Sequence, residues 1–141
     1  MTDDLETKDV RQGTPRPAVL LIVEDNVVWR TVIRLLLYDI RPDVILLEAG
    51  TWAEGIHLAE SHHPGAVILD LILPDSPLDH TAANWRLFKV PVVFLSSTTK
   101  RTLVDGTPIL PKEYEFAKQG IRLAIHAAEL EALHQSIEKQ L

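Results

Sequence analysis

Two short apolar runs that each end in carboxylate set the tightest limit on what this chain can fold into. Val19-Leu20-Leu21-Ile22-Val23 runs into Glu24-Asp25, and Ala66-Val67-Ile68-Leu69 runs into Asp70. Runs of this kind, apolar without polar alternation, are strands covered on both faces, as in a parallel sheet wound by helices. If both finish at one sheet edge, their acids share a pocket at the carboxyl ends of the strands, where open α/β sheets bind ligands. Like charges there repel by roughly 4 kcal/mol per pair at about 4 Å and an effective dielectric near 20. A divalent cation relieves that repulsion, and an oxygen-only donor set favours Mg²⁺ over zinc.

The rest of the chain supports the same architecture. Residues 1–17 are polar, with Gly13 and two prolines, and read as a disordered leader; the folded domain spans 18–141. Asn26 is placed to cap a helix whose apolar positions are Trp29, Val32, Ile33, Leu36 and Leu37. Val44 to Leu47 is a second strand, and Thr51 with Glu54 forms a capping-box pattern for a second helix. After the Ala66–Leu69 strand, a weak helix is predicted from His80 to Leu87, then strands at Val90–Leu95 and Ile109–Leu110. The segment between those last strands is rich in Ser and Thr and has no repeated apolar face. It predicts a mobile loop in place of a helix. A final helix from Glu113 to Leu141, with Gly120 as a point of interruption, carries Leu130, Leu133, Ile137 and Leu141 on one stripe.

Charge and composition exclude several classes. A net charge of −6 with no basic cluster argues against a nucleic-acid surface. There are no cysteines, so disulfides and thiolate metal sites are ruled out. No apolar signal core and no apolar run of about 18 residues occurs, which predicts a cytoplasmic protein without membrane contact. The histidines share no spacing with the acids and read as surface or partly packed side chains.

Four segments, LIVEDN (Leu21 to Asn26), PGAVILDLILPDS (Pro64 to Ser76), VPVVFLSS (Val90 to Ser97) and LPK (Leu110 to Lys112), occur in order on the expected elements. Together they resemble the receiver domain of two-component response regulators. The resemblance implies a flavodoxin-like, doubly wound five-stranded parallel sheet of order 2-1-3-4-5. It also implies that Asp70 is the phosphoacceptor, a carboxylate nucleophile forming an acyl phosphate. Mg²⁺ would be held by Glu24, Asp25, Asp70 and the backbone carbonyl of Ile72. Lys112 would pair with one phosphoryl oxygen, and Ser96 would hydrogen-bond another once phosphate arrives, drawing its loop along. Such a chain is not a turnover enzyme; it catalyses only its own phosphorylation and dephosphorylation.

The departures are specific. Glu113 stands where receivers usually carry proline, and Ile109 where an aromatic switch residue is expected. The span from Ser96 to Lys112 is too short for a normal fourth helix, and Pro91 with Phe94 resembles a receiver subgroup with a PFxFATGY-type motif and a mobile loop there. Ile72, two residues after Asp70, lacks the acid that an aspartate-nucleophile phosphatase needs there.

The functional expectation is a single-domain response regulator, phosphorylated on Asp70 by a sensor histidine kinase or phosphotransfer protein in a phosphorelay and acting through protein contacts. The alternative is a non-phosphorylated pseudo-receiver that serves as a binding or dimerisation module. The C-terminal stripe either folds back on its own domain or pairs two copies in a homodimer.

Overall fold

The computed structural model describes residues 17–140. Apart from Pro17, the predicted leader lies outside the described residues, as does Leu141 of the C-terminal stripe. The elements are β1 (Val19–Val23), α1 (Val27–Ile40), β2 (Ile45–Ala49), α2 (Trp52–His62), β3 (Ala66–Leu69), α3 (Leu78–Asn84), β4 (Val92–Ser96), β5 (Ile109–Pro111) and α4 (Tyr114–Gln140). A 3-10 turn, Trp85–Phe88, continues α3. The five strands are all parallel and ordered 2-1-3-4-5, a flavodoxin-like arrangement.

The apolar runs are buried on both faces because alternate residues serve different layers. Leu20, Ile22, Ile68 and Leu95 pack with α1 and α4, whose contributions include Ile33, Leu37, Ile121 and Ile125. Leu21, Val23, Val67, Leu69 and Phe94 face the other way, toward α2, α3 and the 3-10 turn. Helix starts follow the expected capping. The Asn26 side chain accepts from the Trp29 N–H and the Thr51 side chain from the Glu54 N–H. The reciprocal half of the capping box differs: the Glu54 carboxylate takes the Gly50 N–H, and Asp75 takes those of Trp52 and Ala53.

Several boundaries move. The weak helix starts at Leu78, two residues before the expected His80, because Pro77 supplies an extended N-cap. Gly120 does not interrupt α4; it is buried, and a Cβ there would lie 3.3 Å from Leu110 Cδ1, so glycine lets the helix sit close to β5. The Lys112–Glu113 peptide is trans, as are the other peptides of the described residues.

No helix forms between β4 and β5. The segment closes instead on a bridge between Thr102 and Pro108, with Leu103 N–H bonded to Thr107 O and Asp105 receiving the Thr107 N–H and hydroxyl. Arg86 pairs with Asp105 from the 3-10 turn. Leu103 inserts into the second core layer near Leu71, Leu78 and Ile109. It is the apolar anchor of a segment otherwise held by polar contacts. Leu103→Ala is therefore expected to cost about 2–3 kcal/mol in chemical denaturation and to speed amide exchange across residues 97–108. No helix among the described residues is long and apolar enough to cross a membrane.

Candidate functional site

Strand register assembles the site. Val23 lies opposite Leu69, so Glu24 and Asp70 leave neighbouring strands side by side. Their backbones are held by Glu24 N–H to Ala49 O and Asp70 N–H to Val23 O. Ser96, the last residue of β4, pairs in register with Pro111, which places Lys112 just beyond the same edge. Glu24, Asp25 and Asp70 each offer a carboxylate oxygen within 4.8 Å of the others. Glu24 and Asp70 are buried, while Asp25 is exposed.

Asp70 is held at both oxygens. Oδ1 accepts from Ser96 Oγ at 2.8 Å and from the Ile72 N–H at 3.2 Å; Oδ2 accepts from Lys112 Nζ at 2.8 Å. Lys112 also pairs with Glu24 Oε1, so one ammonium bridges the two buried acids. Glu24 Oε2 accepts the Asn26 N–H at 3.0 Å. Ser96 is bonded to the carboxylate itself here, because β4 ends level with Asp70. The Ile72 side chain is exposed, and its backbone is tied to Asp70 through the N–H.

Arg30 was not a candidate from sequence, yet it supports the site directly. Its guanidinium donates to the backbone carbonyls of Glu24 at 2.6 Å and Asp25 at 3.5 Å. It stands one turn past the Asn26 cap, and helical side chains lean toward the N-terminus, so its reach over the β1–α1 loop was readable.

Burial pushes the Glu24 carboxyl up from 4.5 to about 7, against the hydrogen bonds from Lys112 and Asn26 that favour its charged form. Burial pulls the Lys112 ammonium down, but the hydrogen bonds to Asp70 and Glu24 outweigh it and the net direction is up. Lys112 therefore stays charged at neutral pH. The folded state holds the Glu24 proton more tightly than the unfolded chain does. In chelator, the contribution of Glu24 to stability is thus fully present below about pH 4.5 and is lost as pH rises to about 7. The loss expected in pH-dependent denaturation is roughly 3 kcal/mol. Glu24→Gln is expected to flatten that profile, and added Mg²⁺ to restore stability at the alkaline end.

No protein-family model matches the chain, and no curated protein sequence matches it. Solved structures do. The signal receiver domain of NarL from Mycobacterium tuberculosis is 19% identical, with a TM-score of 0.64, over 82% of this chain and 98% of that one. That of a Luxo repressor protein from Vibrio parahaemolyticus is 22% identical, with a TM-score of 0.65, over 83% and 96%. The receiver domain of the response regulator PhyR from Erythrobacter litoralis is 22% identical, with a TM-score of 0.60, over 81% and 91%. The chain has the fold of the signal receiver domains of response regulators.

Proposed function

We propose that the chain accepts a phosphoryl group on Asp70 and passes the event on through the segment that follows β4. The observation that carries this reading is the convergence of Ser96 and Lys112 on the two oxygens of one buried aspartate. A buried aspartate would be satisfied by one cation; here three carboxylates share a single ammonium at the open edge of the sheet.

The chemistry follows from the residues. An Asp70 carboxylate oxygen attacks the phosphorus of the donor, a phosphohistidine or an acyl phosphate. A P–O bond to Asp70 forms, and the bond from phosphorus to the donor breaks, its electron pair leaving with the imidazole or the carboxylate. Ser96 and Lys112 already point at that position, so they transfer their hydrogen bonds from the carboxylate to phosphoryl oxygens. Because Ser96 ends β4, its shift pulls on the loop from 97 to 108, which supports an order–disorder response in place of a helix shift. The carboxylates of Glu24, Asp25 and Asp70 fit Mg²⁺, since all are hard oxygen ligands within 4.8 Å of one another and three acids outnumber the one ammonium of Lys112; the Ile72 carbonyl would complete the set. Bound there, the ion would offset negative charge on the incoming phosphoryl group.

A donor protein has a surface to meet at the mouth of the site. Val27, Val28 and Ile72 are exposed beside the acids, an apolar rim suited to a histidine kinase or phosphotransfer protein in the cytoplasm. Incubation with acetyl phosphate and Mg²⁺ tests the reading by intact mass. One added phosphoryl group supports it; none moves the chain to a binding module without phosphoryl chemistry.

A further inference from the structure

Helix α4 has two apolar faces. One, made of Ala117, Gly120, Ile121, Ala124, Ile125 and Ala128, is buried on the domain core. The other carries Phe116, Leu123, Leu130 and Ile137, spaced seven residues apart, together with Leu133. All five are 37–57% exposed. At about 100° per residue they lie roughly 110–170° around the helix from the core-facing centre. Beyond Ala128 no described position is buried: Glu129 still reaches Arg41 at the end of α1, and from Leu130 on the helix carries only exposed or half-exposed side chains. A helix of that length is marginal alone in water.

We propose that this second face pairs α4 with α4 of a second copy of the chain, as a parallel two-stranded coiled coil. A seven-residue repeat drifts by about 20° per heptad on a straight helix, and the drift is taken up when two helices wind around each other. A helix lying on its own sheet has no need of that repeat. From Phe116 to Ile137 the stripe runs about 32 Å, enough for four apolar layers. Parallel pairing matches each of the four with its own copy, apolar against apolar. Parallel pairing also stacks Gln119, His126 and Gln140 each on its own copy, polar against polar, in the alternate layers, whereas antiparallel pairing would set these polar side chains against the apolar four. Those same polar residues disfavour a trimer or tetramer, where they would be more deeply buried.

The flanks agree with parallel pairing. It places Arg122 beside Ala127 of the second copy, and Glu129, which also holds Arg41 of its own domain, beside His134, so no like charges meet. The core face of each helix stays on its own domain.

Sedimentation equilibrium of the full chain across the micromolar range is expected to give twice 15.8 kDa. Leu130→Glu combined with Ile137→Glu is expected to raise the dimer dissociation constant by at least about 100-fold. Both residues lie outside the core, so thermal unfolding of the domain serves as the control for folding. The chain has no cysteine, so Ile137→Cys supplies a single reporter of orientation. Mild oxidation should link two copies through it, because parallel helices bring the two thiols into one layer. A wild-type monomer throughout the range, a trimer, a dimer indifferent to the double substitution, or a dimer that Ile137→Cys fails to cross-link would each overturn the proposal.

Discussion

Asp70→Asn is expected to take up no phosphoryl group from acetyl phosphate under conditions that label the wild type. An amide is not a nucleophile toward phosphorus, and no other carboxylate of the cluster is gripped by both Ser96 and Lys112. The variant should fold. Its amide oxygen keeps the Ser96 and Ile72 donors, and Lys112 keeps Glu24, but the amide NH2 replaces the oxygen that faced Lys112, so the expected loss of stability is about 1–3 kcal/mol. A folded Asp70→Asn protein that still gains phosphate by intact mass would relocate the acceptor.

Lys112→Met should have the largest effect on stability. It removes the ammonium that bridges two buried carboxylates and leaves Glu24 and Asp70 facing each other without a cation. Breaking a buried pair from one side costs about 3–5 kcal/mol. Part of that loss should return on acidification, because Glu24 already binds a proton near neutrality and would bind it more tightly without Lys112. Part should also return with Mg²⁺, which supplies positive charge to the same acids. Phosphoryl uptake should slow by about 100-fold or more, the cost of losing one aimed donor at a developing oxyanion. Denaturation midpoints at two pH values, with and without Mg²⁺, separate the electrostatic loss from a packing defect, which neither condition would relieve.

Much of this is legible in the sequence. Each apolar run had the length and uniformity of a strand covered on both faces, and the acids that ended them fixed which edge would hold the site. Asn26 and Thr51 announced their helices because a capping side chain acts within three residues. What local pattern could not supply was closure between distant residues. Lys112 reaches Glu24 across most of the domain, and nothing near either residue specifies that bond. The contact of Ser96 with Asp70 likewise comes from strand register and not from any pattern near either residue. Gly120 was read as a helix breaker from its propensity, but close packing against Leu110 overrides that preference. The stripe on α4 was seen only at its end, from Leu130 onward. Phe116 and Leu123 extend it toward the helix start, which only their exposure reveals.

The central claim is that Asp70 is an Mg²⁺-dependent phosphoryl acceptor. The most direct measurement treats the wild-type chain with acetyl phosphate, with and without Mg²⁺, then reduces it with borohydride and maps the peptides. Borohydride converts an aspartyl phosphate to homoserine and so marks the acceptor covalently. The predicted result is one reduced residue, at position 70, only in the sample that contained Mg²⁺. Reduction at another residue, equal labelling without the metal, or no labelling of a folded protein would contradict it.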